Sequence, residues 1–149
     1  MLQLKRTNSE NKDFMALVRL LDQDLARRDG NETAFYSQYN KIDLIRHAVV
    51  AYETDVPLAI GAIKEYETGV MEVKRMFTVP EIRGKGYASR VLAELEQWAT
   101  ELGYHKLILE TGKRNPEAIA LYKARGYTVT ANYPPYVGVD NSVCFEKLL

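Results

Sequence analysis

Arg83-Gly84-Lys85-Gly86-Tyr87-Ala88-Ser89 follows the strand-like stretch Val70 to Val79 and Pro80, and leads into Val91, Leu92, Leu95, Trp98, Ala99 and Leu102, which recur at helical spacing until Gly103. The stretch therefore reads as strand, glycine-rich turn, helix. Two glycines at such a turn let the backbone come close to a ligand, and the first N–H groups of the helix point outward without intrahelical acceptors. Together with the partial positive charge of the helix start, Arg83, Lys85 and Arg90 make this a place for an anion such as a nucleotide pyrophosphate. From Glu72 to Arg90 there are five basic and two acidic residues, and from Lys113 to Arg125 four basic and one acidic, a net +3 in each. A loop shaped by Gly84 and Gly86 beneath a solvated basic face is the alternative reading.

Working outward from that turn, Lys106 to Thr111 reads as the next strand. Pro116 stands at the first turn of a further helix that ends before Gly126, and Tyr127 to Ala131 and Ser142 to Lys147 read as closing strands. Upstream, Leu2 to Thr7 alternates as a first strand. Phe14, Leu17, Val18, Leu21 and Leu25 form one helical stripe ending near Gly30, and Phe35 to Tyr39 reads as a short helix. Strands at His47 to Tyr52 and Leu58 to Glu67 flank a turn at Asp55, Val56 and Pro57, and Gly69 turns the chain into the central strand. This order implies an α/β fold with a mixed sheet and helices on its faces, in one domain over residues 1–149.

Composition bounds the chemistry. With 149 residues and 46% apolar content the chain can build a core without disulfides or metal. Twenty Lys and Arg balance twenty Asp and Glu, which argues against a wholesale nucleic-acid binder and makes any anion site local. One cysteine, Cys144, and two histidines, His47 and His105, leave no tetrahedral zinc pattern, so no metal is expected. No apolar run approaches a bilayer span and residues 1–6 lack a signal-peptide pattern, so the expected compartment is the cytoplasm and no membrane partner is expected. No G-x-x-x-x-G-K-[ST] occurs, and the dinucleotide fingerprint fails because Ser89 stands where its third glycine belongs.

Two spaced motifs resemble the GNAT superfamily of acetyl-coenzyme A-dependent N-acetyltransferases. One is R-x-x-G-x-A at Arg83, Gly86 and Ala88, after the strand Lys74 to Pro80. The other is N-x-x-A-x-x-L-Y-x-x-x-G-Y at Asn115, Ala118, Leu121, Tyr122, Gly126 and Tyr127. The resemblance runs from about Ile60 to the C-terminus and loosely includes the first helix. It implies a GNAT fold: a mixed, mostly antiparallel sheet of about seven strands, splayed between the fourth and fifth, with about four helices. It also implies acetyl-CoA as co-substrate, lying in the splay.

On that resemblance, backbone groups of Phe77, Thr78 and Val79 meet the pantetheine as an added strand would. The N–H groups of Arg83, Gly84, Lys85, Gly86, Tyr87, Ala88 and Ser89 take the pyrophosphate, and Asn115 and Tyr122, about 10 Å of helix rise apart, face the cofactor. Asn115 also reads as a plain helix cap. Tyr122 is the expected general acid, since a phenol is still protonated at neutral pH, with aromatic packing as its alternative.

The base is the less defined partner. Glu72 resembles the glutamate some family members use on this strand, against a surface carboxylate paired with Lys74, and Glu110 stands similarly. Tyr36, Tyr39, Tyr133, Tyr136 and Glu110 are the candidates for the acceptor pocket, with core packing as the alternative for the tyrosines, and Cys144 reads as a buried strand cysteine. The loop Asn132 to Tyr136 reads either as a lid or as the contact of a homodimer. The expected partner is a small-molecule amine. A protein lysine or N-terminal acetyltransferase, and a non-catalytic coenzyme A-binding module, are the competing readings.

Overall fold

A computed structural model describes residues 2–29 and 45–149. Its elements in chain order are β1 (Leu2–Thr7), α1 (Lys12–Asp29), β2 (His47–Glu53), β3 (Val56–Glu67), β4 (Val70–Thr78), a 3-10 turn at Pro80–Ile82, α2 (Tyr87–Glu101), β5 (Lys106–Gly112), α3 (Pro116–Ala124), β6 (Thr128–Thr130) and β7 (Ser142–Leu148). Seven strands form one sheet in the order β1-β2-β3-β4-β5-β7-β6. Every pairing is antiparallel except β4 with β5. The described residues hold three α-helices where about four were expected, and the expected helix at Phe35 to Tyr39 lies outside them.

Both faces of the sheet are covered, which explains why β2 carries the run Ala48, Val49, Val50 and Ala51, each fully buried, instead of alternating. Ala48, Val50, Ile60, Ala62 and Phe77 pack against the α1 stripe Phe14, Leu17, Val18 and Leu21. Val49, Ala51, Ile63, Met71 and Leu109 pack on the other face, against Val91, Leu92, Leu95 and Ala99 of α2. α2 approaches β3 closely over Gly61, where a methyl group would lie 2.5 Å from Met76 Sδ and 2.8 Å from Val91 Cγ1.

One turn differs from expectation. Thr54 and Asp55 alone connect β2 to β3, with φ of 50° and 65°, and Val56 and Pro57 already belong to β3. Two residues in the left-handed region match the twist of the flanking strands, so the hairpin closes tighter than the Asp55-Val56-Pro57 punctuation suggests. Pro57 is accommodated by the adjoining register shift at Ala51/Tyr52, a position where a missing N–H is tolerated.

The sheet opens in its middle. β4 and β5 pair only at Val70↔Lys106, Met71↔Leu107 and Glu72↔Ile108, after which β4 runs on to Thr78 beside β3 while β5 continues beside β7. β4 also carries a bulge: Ala62 pairs with Lys74 and Ile60 with Phe77, so Arg75 and Met76 together oppose Gly61. Arg75 takes a φ of 60°, uncommon for a residue with a side chain. Bulges of this kind re-aim side chains near functional sites.

Candidate active site

The splay between β4 and β5 is a cleft with two connected compartments. The larger, about 540 Å³, runs from Phe77 and Thr78 past the turn Arg83 to Ser89 to Asn115 and Tyr122 on α3, with Leu21, Asp24 and Leu25 of α1 as its other wall. The smaller, about 110 Å³, is lined by Glu72, Lys74, Arg75, Glu110, Tyr122 and Tyr136 among others. Leu21, Leu25, Met76, Asn115, Ala118 and Tyr122 border both.

In the larger compartment the turn fits a pyrophosphate. Gly84 and Gly86 have φ of 84° and 86°, and a methyl group on either would meet no heavy atom within 4 Å, so the backbone is open to a ligand. Gly86 is the N-cap of α2 and supplies no side-chain cap. The first helical bond runs from Arg90 N to Gly86 O, leaving the N–H groups of Tyr87, Ala88 and Ser89 ahead of it without helical acceptors. The Tyr87 ring turns away, its hydroxyl donating to Glu53 Oε2 over 3.1 Å, so Tyr87 offers the cleft its backbone.

The charges are distributed otherwise than the basic cluster suggests. Arg83 Nε donates to Thr78 O over 2.8 Å, its guanidinium lies 5.4 Å from the Phe77 ring centroid, and Nη2 is 3.8 Å from Asp24 Oδ2. Its side chain thus pins the end of β4. Lys85 is exposed, whereas Lys74 and Arg75 are buried and belong to the smaller compartment. Backbone of β4 also has fewer free groups than expected, since Val79 N already donates to Leu58 O and Val79 O accepts from Ile82 N. What Val79 has left is a second lone pair on its carbonyl.

α3 presents the other wall. Asn115 Oδ1 accepts from Ala118 N over 3.2 Å, so Asn115 caps the helix while bordering both compartments. Tyr122 is 6% exposed, with its ring 5.8 Å from that of Tyr127 and 5.9 Å from that of Phe145. Packing and cleft position therefore coexist. Among the described residues nothing hydrogen-bonds its hydroxyl, which opens on the cleft. Burial first, and the charge of Glu110 second, hold this phenol well above its ordinary pKa of about 10.

The smaller compartment is polar and tightly built. Glu72 is nearly buried; Oε2 accepts the Tyr133 hydroxyl over 2.6 Å, and Oε1 is 3.6 Å from Lys74 Nζ. The pairing with Lys74 is present, but inside the cleft, not on the surface. Glu110 Oε2 accepts Ser142 Oγ–H over 2.6 Å. Burial lowers the pKa of both Lys74 and Arg75, with Glu72 opposing in the first case and Asp22 in the second. Arg75 Nη1 donates to Asp22 Oδ1 over 2.7 Å, while Nε is the one buried side-chain donor without a partner among the described residues. Such an orphan costs roughly 1–3 kcal/mol.

Tyr133 and Tyr136 turn inward from the loop between β6 and β7. Tyr136 is fully buried and lines the smaller compartment, and their rings meet edge-on at 5.6 Å. Asn132 Nδ2 holds that loop through the carbonyls of Tyr136 and Ser142, at 3.3 and 3.2 Å. Of the expected acceptor residues, Glu110 and Tyr136 meet here, and Tyr36 and Tyr39 lie outside the described residues. The residues missed are Arg75 and the α1 wall. Two consecutive cations in the middle of the strand stretch Val70 to Val79 were the available signal for Arg75. Cys144 is fully buried on β7, and burial pushes its thiol up to about 11, away from nucleophilic use.

A parallel pair that parts after three residues, beside an uncapped glycine turn, is the geometry the GNAT resemblance implied. The sequence model of the Acetyltransferase (GNAT) family matches residues 14–127. The chain belongs to this family. It is an N-acetyltransferase of the GNAT type. It is 32% identical over 141 residues to the IAA acetyltransferase of Azospirillum brasilense, covering 90% of this chain and 91% of that one. Among solved structures, a candidate acyl-CoA N-acyltransferase of Klebsiella pneumoniae superposes with a TM-score of 0.83 at 28% identity, covering 100% of this chain and 98% of the other. The PaiA N-acetyltransferase of Thermoplasma acidophilum, solved in complex with coenzyme A, shares the fold with a TM-score of 0.74 at 15% identity, covering 100% and 99%.

Proposed function

We propose that this acetyltransferase seats acetyl-CoA in the larger compartment and passes its acetyl group directly to the primary amine of a small molecule held in the smaller one. The observation that carries this reading is the unpartnered, buried phenol of Tyr122 at the border of the two compartments. The N–H groups at the start of α2 bind the pyrophosphate. The free side of β4 from Val73 to Thr78 aligns the pantetheine arm, and Asn115 orients it from α3.

The thioester supplies an acetyl carbon that a neutral amine attacks: the C–N bond forms, the C–S bond breaks, the amine loses one proton and the sulfur gains one. Glu110 takes the proton from nitrogen. Of the two carboxylates in the compartment it is the one whose charge raises the Tyr122 pKa, whereas Glu72 is held between Tyr133 and Lys74 and shapes the wall. Tyr122 gives the proton to sulfur. A thiol of pKa about 8.5 is a good leaving group, so this acid has modest work to do. The dimensions favour a small acceptor, because about 110 Å³ is less than the space of about 150 Å³ that holds a benzene.

Release of free thiol from acetyl-CoA, followed across amino acids, polyamines, aminoglycosides and peptides, tests the reading. Turnover with a small amine sustains it. Turnover with peptides alone turns it to a protein acetyltransferase, and binding of acetyl-CoA without turnover to a sensor module.

A further inference from the structure

We propose that the acceptor amine also carries a carboxylate, and that Arg75 binds it. This rests on the transferase reading above and narrows it to small amino acids and related zwitterions.

The argument starts from how the guanidinium is spent. Arg75 is held on the bulge of β4 with φ 60°, and its side chain is 5% exposed. Nη1 donates to Asp22 Oδ1 over 2.7 Å, whereas Nε is buried without a partner, and nothing pairs with Nη2 either among the described residues. Nε and Nη2 are the two parallel donors of one guanidinium edge, the edge that takes a carboxylate bidentately. A strained backbone, a buried cation and an intact fork at the wall of an acceptor compartment together describe a receptor for a planar anion.

The rest of the compartment sets the size and charge of that anion. Glu72 accepts from Tyr133 and pairs with Lys74, and Glu110 accepts from Ser142. The carboxylates of the wall are thus supplied with donors, and beside the Tyr122 hydroxyl the spare hydrogen-bonding capacity is the Arg75 edge. Asp22 already balances Arg75 and Glu72 balances Lys74, so a carboxylate is accommodated best when the same molecule carries its own positive charge. A doubly charged phosphate would add surplus negative charge beside Glu72 and Glu110. A zwitterion meets both needs, its carboxylate on Arg75 and its amine toward Glu110 and Tyr122.

The test compares α-amino acids with their own amides, and with aminoalkylphosphonates, by thiol release on the wild type, Arg75→Gln and Arg75→Lys, each variant first shown to bind acetyl-CoA as the wild type does. The wild type should favour acid over amide by at least about tenfold in kcat/KM, and both variants should shrink that preference to about twofold, through KM for the acid. Arg75→Lys keeps the charge and loses the fork, so it covers the case in which Arg75→Gln does not fold. Equal use of acids and amides, preference for phosphonates, or equal loss on acids and amides in the variants overturns the assignment while leaving the transferase reading intact. Binding of non-reactive 2-hydroxy acids, measured by calorimetry with coenzyme A present, decides the matter without turnover. Heat with the wild type and none with Arg75→Lys sustains the Arg75 site even if no amine is acetylated, and absence of heat with both, in that case, overturns it.

Discussion

Tyr133 donates its hydroxyl to Glu72 Oε2 over 2.6 Å, tying the loop between β6 and β7 to the floor of the cleft 61 residues away in sequence. The bond fixes one wall of the smaller compartment, the proposed acceptor site, since Tyr136 packs edge-on against Tyr133. Burial and the Glu72 charge raise the Tyr133 pKa, so the donor stays protonated throughout the working range.

Tyr133→Phe should therefore loosen the acceptor wall and leave the donor site alone. KM for the amine is expected to rise about tenfold with the dissociation constant of acetyl-CoA unchanged, and the melting temperature should fall by the equivalent of about 1–3 kcal/mol. Steady-state kinetics with both substrates varied, and thermal melts, check the pair. An unchanged acceptor KM would remove Tyr133 from the wall.

Tyr122→Phe should lower kcat about 10- to 100-fold and leave acetyl-CoA affinity near normal, because in the proposed mechanism the hydroxyl acts on the leaving sulfur. The pH profile provides a second reading. A phenol of ordinary pKa would have lost half its acid form by pH ~10, dragging kcat down, whereas the raised pKa of Tyr122 keeps the acid form and predicts no such falling limb up to that pH.

Gly86→Ala should separate stability from binding. The left-handed conformation at the helix cap costs a side chain about 1–2 kcal/mol, but the added methyl meets no protein atom, so the fold survives. Acetyl-CoA affinity should drop further than the stability does, since the methyl occupies the space beside the uncapped N–H groups. Isothermal calorimetry against a urea melt makes the comparison.

Gly61→Ala should act in the opposite way, as overpacking beneath Met76 and α2. A destabilisation of about 1–3 kcal/mol is expected, together with weaker activity because Met76 borders both compartments. Unfolding by urea, with an unchanged slope, is the measurement.

The sequence made the scaffold legible because its periodicities are strong: the α1 stripe, the α2 stripe and the strand runs are present in the structure close to where their patterns begin and end. The glycine turn was equally legible, since Gly84 and Gly86 sit where a strand gives way to a helix, a purely local signal. The smaller compartment was not. Tyr133 meets Glu72, and Ser142 meets Glu110, across 61 and 32 residues of chain, and no local pattern encodes such contacts. Lys74 and Arg75 read as part of the basic cluster around the glycine turn, whereas both are buried and Arg75 sits on the bulge of β4, because a register shift is invisible to a period of two. The turn lies at Thr54-Asp55 instead of Asp55 to Pro57, because Pro57, which reads as turn punctuation, is absorbed by the sheet at a register shift between β2 and β3.

The parting of β4 from β5 after Glu72 and Ile108 has a dynamic corollary. An unlaced seam through the middle of a sheet leaves the two halves joined chiefly at one end, like a hinged book, so the free enzyme should breathe there more than at any continuous pair of strands. A substrate that lies along the seam acts as its missing thread, and occupancy of the cleft should then be readable far from it as slower amide exchange in both halves at once.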